Sequence, residues 1–168
     1  VKDAIGVREL GRTLHFTFDD ALRYAGPGSP GGVAVAFKAL QRAFALLSPD
    51  AAPERREVSV RTAFRGPGAR DCFEAVTRAV TDGRYAVDRS LLRADRGRLL
   101  EDFVFEVSIG DASVILVLRE GFITNEFIDL ARAQDRTPQA ERRLDDLKAE
   151  LAQRVMAAPA DRVHDIAR

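Results

Sequence analysis

The sequence predicts an α+β fold: a small antiparallel or mixed sheet packed against one long buried helix, with additional helices at the C-terminal end. Three observations carry this reading. Val33, Phe37, Leu40, Phe44 and Leu47 recur at spacings of four and three, the period of a helix. Glu57 to Phe64 and Phe103 to Leu118 instead alternate or run apolar at strand length. A further helical stripe, from Pro138 to Ala157, follows a threonine placed to cap it. A chain of 168 residues fits one domain, with a core over about residues 16–134 and a helical extension over about 137–168.

Taken in order, residues 1–14 predict a short helix carrying Ile5, Val7, Leu10 and Leu14. Thr17 caps a second helix, whose first turn holds Asp19 and Asp20 and whose end falls near Gly26. The third helix spans Gly31 to Leu47; Val35, Ala36, Ala39 and Ala43 widen its stripe, so it belongs at the centre, with Lys38, Gln41 and Arg42 as its polar edge. Ser48 to Pro53 is a turn. In the strand that follows, Val58, Val60, Thr62 and Phe64 share one face. Gly66-Pro67-Gly68 breaks it, and Asp71 to Thr81 returns to helical spacing through Phe73, Val76 and Val80, with Gly83 closing. Phe103, Phe105, Val107 and Ile109 alternate up to Gly110-Asp111, and Val114 to Leu118 runs unbroken, which predicts a hairpin with its second strand buried on both faces. Two helices complete the chain, Asn125 to Ala133 and Pro138 to Ala157. In the second, Thr137 caps, Pro138 takes the first position, and Leu144, Leu147, Leu151 and Val155 form the stripe.

Composition narrows the function. Lys+Arg and Asp+Glu both number 26, and a net charge of zero argues against a general nucleic-acid binder. No apolar run reaches membrane-spanning length and no signal-peptide pattern is present, so a cytoplasmic protein is the expectation. Cys72 is the only cysteine, and His15 and His164 are the only histidines. That excludes a disulfide within the chain and a multi-cysteine zinc site built from one copy.

The candidate site is the stretch Tyr24 to Gly32, with four glycines and two prolines in nine residues. A backbone so free of side chains can approach a ligand closely, and it delivers its amides to the start of a long helix, where an anion is favoured. Gly26, Gly28, Ser29, Gly31 and Gly32 are the candidate ligand-binding residues there. The stretch lacks the phosphate-loop and dinucleotide patterns. Ser29 is followed by Pro30, which removes an N–H that a hydrolase elbow needs. Its other reading is a helix cap. Three smaller candidates stand beside it: a metal set of His15, Asp19 and Asp20; the arginine-rich segment Arg84 to Arg98, either a solvated loop or an anionic-partner surface; and the last helix, either packed on its own domain or an arm docking on a second copy of the chain. His164 is expected to be solvent-exposed.

Gly26-Pro27-Gly28-Ser29-Pro30, the helix from Val33 to Leu47, the strand Glu57 to Phe64 and Asp71-Cys72-Phe73-Glu74-Ala75-Val76 together resemble the formylmethanofuran dehydrogenase E family. Members carry a Gly-His-x-Cys-Pro loop opening a long apolar helix, then a strand and a helix with a cysteine near its start. The similarity covers about residues 16–120 and implies an accessory module linked to one-carbon and molybdenum- or tungsten-dependent redox chemistry. It adds Cys72 to the candidate ligand-binding residues. It also exposes departures. Pro27 replaces the loop histidine, Ser29 replaces the loop cysteine, and the charged helix Pro138 to Ala157 stands where many members have a cysteine-rich zinc module. The expectation is therefore a divergent member without the usual zinc, homodimeric, binding a small ligand (an anion included) at the glycine loop. Two alternatives are a metal-dependent enzyme or metal-binding protein using Cys72 with oxygen ligands, and a structural self-associating module. The residues assign no reaction and no cofactor.

Overall fold

The computed structural model describes residues 3–167. In chain order these form β1 (Ile5–Glu9), β2 (Arg12–Phe16), α1 (Phe18–Ala25), α2 (Pro30–Leu47), β3 (Val58–Thr62), α3 (Pro67–Thr77) and β4 (Tyr85–Val87). They continue with β5 (Val104–Ile109), β6 (Ala112–Leu118), α4 (Asn125–Arg132), α5 (Pro138–Ala157) and β7 (His164–Ile166). Two sheets result, the hairpin β1-β2 and a five-stranded sheet of order β4-β3-β5-β6-β7. Only the β3–β4 pair is parallel, so the larger sheet is mixed and the α+β expectation holds.

Burial explains the layering. Val58, Val60 and Thr62 of β3, Phe105 and Val107 of β5, and Leu116 and Leu118 of β6 are fully buried on one face of the sheet. Arg61, Glu106, Ser108 and Ser113 alternate with them on the other, where Arg61 Nη1 donates to Glu106 Oε1 at 2.9 Å. Helix α2 lies against β5 and β6 and is flanked by α3 and α5. Val33 to Phe37, Ala39, Leu40 and Ala43 are all inaccessible, so this helix is the centre of the core. Each large apolar side chain buried there contributes about 1.5–3 kcal/mol. Lys38, expected at a polar edge, is also buried; loss of solvent lowers its pKa, which Asp3 opposes.

Several boundaries differ from expectation, each for a local reason. Residues 5–16 form a hairpin rather than a helix. Ile5 pairs with Phe16 and Val7 with Leu14, so the apolar residues follow a period of two on either side of the turn at Leu10-Gly11. Helix α3 starts at Pro67 and ends at Thr77, because Pro67 suits a first helical position and Arg78, at φ 59, reverses the chain before Gly83 can. The β5–β6 hairpin turns on Gly110, at φ 57, as expected. β6 is buried on both faces only over Leu116–Leu118; Ala112 and Ser113 are exposed and Val114 and Ile115 half-buried, so the expected burial of the whole strand fails at its start, where it follows the turn. α4 and α5 are capped by Thr124 and Thr137, and α5 buries Leu144, Leu147, Leu151 and Val155. Residues 137–167 are nonetheless no appendage. α5 packs on α2, and β7 pairs with β6 through Leu116–Ile166, Val117–Asp165 and Leu118–His164.

Candidate functional site

The glycine-rich loop joins α1 to α2, and its glycines have distinct tasks. Gly26 ends α1 at φ 82, its N–H donating to Leu22 O at 2.8 Å. Pro27 and Gly28 are exposed, and Lys148 of α5 reaches across so that Nζ donates to Gly28 O at 3.1 Å. Ser29 is the residue before α2 but makes no side-chain cap, and Pro30 occupies the first turn. Gly31 and Gly32 are places of close approach. A Cβ at Gly31 would stand 2.7 Å from Leu151 Cδ2, and one at Gly32 would stand 3.1 Å from the Ala69 nitrogen. Gly68 completes the set, since a Cβ there would fall 2.4 Å from Ser29 O. The first turns of α2 and α3 thus lie against each other, backbone to backbone.

That meeting has an electrostatic consequence. Helices α1, α4 and α5 each carry a threonine cap and an acidic residue in the first turn. Neither α2 nor α3 has a side-chain cap hydrogen bond, and neither has an acidic residue in its first turn. The N–H groups of Gly31, Gly32, Gly68 and Ala69 lie before the first intrahelical acceptors can serve them. Two positive helix ends therefore adjoin without a side-chain carboxylate on either cap. Around them, Arg65 and Arg70 are exposed at the start of α3, Arg70 Nε lying 3.6 Å from Asp71, and Lys148 stands at Gly28. A cavity of about 430 Å³ adjoins the loop on its α1 side, lined by Asp19, Leu22, Arg23, Gly26 and Pro27.

Cys72 lies one turn into α3 and is fully buried in the core, so burial alone pushes its thiol far above the ordinary range. The residues present do not fit the zinc of the resembled family: Pro27 has no donor, Ser29 offers a hydroxyl, and Cys72 is a core residue held as the thiol. Among the described residues no three of His, Cys, Asp and Glu gather into a metal-holding group.

The other candidates separate in space or serve the fold. Asp20 closes a capping box with Thr17, accepting from Thr17 N at 2.9 Å, and accepts from Arg23 at 2.8 Å. His15, Asp19 and Asp20 are thus not assembled as a metal set. His15 instead stands between two clefts of about 490 and 650 Å³. In the arginine-rich segment, Arg84 Nη2 donates to Thr77 O at 2.9 Å, Arg96 Nη2 donates to Leu118 O at 2.6 Å, and Arg89 donates to Ala63 O. These guanidinium groups hold the chain's own carbonyls. His164 reverses its expectation: it is inaccessible, edge-on to the Phe105 ring at 5.7 Å, and neither ring nitrogen has a partner among the described residues.

Arg55 is a structural centre that no sequence motif marks. It is buried, with Nε donating to Val76 O at 2.8 Å, Nη2 to Ala75 O at 2.9 Å and Nη1 to Glu9 at 3.1 Å, so it closes the C-terminus of α3. Its one sequence signal is a position between a turn and an apolar strand. Among the described residues no helix is long and apolar enough to cross a membrane. No protein-family model and no curated protein matches the chain.

Proposed function

We propose that this chain is a divergent, non-catalytic accessory module of the formylmethanofuran dehydrogenase E type, without that family's zinc. In this reading it works in the cytoplasm as a homodimer and binds a small anion at the loop Gly26 to Gly32. The observation that supports the anion is the contact of two uncapped helix N-termini at Ser29 and Gly68. Phosphate and carboxylate are the matching chemistries, since both present acceptor oxygens to backbone N–H groups. Gly31 and Gly32 contribute amides rather than room, because their missing side chains are already used by Leu151 and Ala69. In this reading Cys72, fully buried in the core, contributes packing beneath the loop.

Titration of the protein with inorganic phosphate, followed by backbone amide NMR, tests this. The amides of Gly31, Gly32, Gly68 and Ala69 are expected to shift together and saturate. Ser29→Asp places a carboxylate at the same N–H groups. It is expected to abolish the phosphate response while raising stability by about 0.5–1 kcal/mol, the ordinary worth of a cap and its dipole interaction. A phosphate response unchanged in Ser29→Asp, or absent from all four amides, rejects the site.

A further inference from the structure

The cleft of about 650 Å³ between β2, α1 and the C-terminal end of α3 has used up its charges and kept an aromatic wall. Asp20, Glu74, Arg55 and Arg78 line it, and their charges sum to zero. Both oxygens of Asp20 are taken, by the Thr17 N–H at 2.9 Å and by Arg23 Nη2 at 2.8 Å. Both oxygens of Glu74 accept from the Thr81 N–H, at 3.2 and 3.3 Å, and Oε2 also accepts from the Thr81 hydroxyl. Arg55 spends its three nitrogens on Val76 O, Ala75 O and Glu9. Those two carbonyls belong to the negative end of α3, so the guanidinium cancels that end within the cleft.

Arg78 is different. It ends α3 at φ 59, a left-handed position where a helix takes glycine by preference. Its side chain approaches only Glu74, with Nε 3.8 Å from Oε2, and its two Nη atoms make no hydrogen bond among the described residues. An arginine kept at a strained position, with an unused guanidinium lining a cleft, points to a ligand. Phe16, Tyr24 and His15 line the same space. The Arg55 guanidinium covers the Phe16 ring at 5.2 Å, whereas Tyr24 is 58% exposed. Neither the Tyr24 hydroxyl nor the His15 ring makes a hydrogen bond among the described residues.

We propose that this cleft binds a small, flat, uncharged heteroaromatic compound, stacked on Tyr24, with Arg78 donating to carbonyl or imino acceptors on its edge. The lack of net charge follows from the lining: both carboxylates are engaged, and Glu74 already faces the one open guanidinium. The unused groups are the Arg78 donors, the Tyr24 hydroxyl and the His15 ring, which suit a ring edge with acceptors and need no counter-charge. The volume lies within the ordinary range of a small-molecule site. None of the lining residues belongs to the loop Gly26 to Gly32, so this site is independent of the anion reading above.

Backbone amide NMR of the full chain with inosine as the probe tests this, with ribose as a control lacking the ring and benzoate as a charged ring. The amides of His15, Tyr24, Arg78 and Thr81 are expected to shift together and saturate with a Kd of about 0.1 mM, ordinary for a ligand of that size. Ribose is expected to leave them unmoved, and benzoate to bind at least about tenfold more weakly. Tyr24→Ala and Arg78→Gly are each expected to weaken inosine by at least about tenfold. Arg78→Gly is also expected to melt about 2–4 °C higher, because glycine suits the positive φ. That rise separates a ligand role from a structural one. No saturable shift of these amides with inosine, benzoate binding as tightly as inosine, or an Arg78→Gly variant that binds unchanged or melts lower would each overturn the proposal. The phosphate response is read at Gly31, Gly32, Gly68 and Ala69, so either site can fail without the other.

Discussion

Acidification should destabilise this protein through His164. The imidazole is fully buried, both nitrogens lack a partner among the described residues, and burial pushes its pKa down to about 3; Asp165 opposes that shift and Arg96 adds to it. In the unfolded chain a histidine takes its proton near pH 6.5. The folded pKa is thus the depressed one, and protonation favours the unfolded state. The stabilisation is complete above about pH 6.5 and is lost as pH falls from there toward 3. Between pH 7 and pH 5 only the unfolded form takes up this proton, which costs about 2 kcal/mol, a factor of about twenty-five in the folding equilibrium. Urea unfolding of wild type and His164→Leu at pH 7, 6 and 5 isolates this loss. The packing change shifts the variant's stability equally at each pH, so the difference between the two pH slopes belongs to His164. Parallel slopes would show that the folded imidazole titrates like the unfolded one, and would refute its isolation in the core.

Two further outcomes follow from packing. Gly68→Ala forces a Cβ to within 2.4 Å of the Ser29 carbonyl and is expected to cost about 1–3 kcal/mol, whereas Gly28→Ala meets nothing within 4 Å and is expected to stay within about 0.5 kcal/mol of wild type; chemical denaturation of the pair decides it. Cys72, buried and held as the thiol, is expected to resist a disulfide-exchange reagent in the native protein and to react stoichiometrically in denaturant; rapid native labelling would place it at a surface.

What can be read in advance tracks how local its cause is. α5 is legible to the residue, because Thr137, Pro138 and the Leu144–Val155 stripe all act within one helix. The hairpin β1–β2 reads as a helix although Ile5–Val7 and Leu14–Phe16 alternate, since Leu10 supplies an apolar residue where a turn residue is due. β4 and β7 have three residues each and owe their existence to β3 and β6, so no pattern of their own announces them. His164 defies its sequence for the same reason: β7 carries it into the core. At the candidate site, sequence says that a backbone approaches something closely at Gly31 and Gly32. It does not say that Leu151 and Ala69 are what approaches, because a glycine admits a helix as readily as a ligand.

The placement of α2 also constrains how the molecule is made. Its flank meets α5, and the Lys148–Gly28 hydrogen bond spans 120 positions. During synthesis from the N-terminus, α2 emerges early and must wait for α5 and β7 before its apolar surface is covered. Until then the nascent chain presents Gly31's bare flank and the unpaired edge of β6 to every other chain in reach, a window in which a chaperone is a better companion than a ligand.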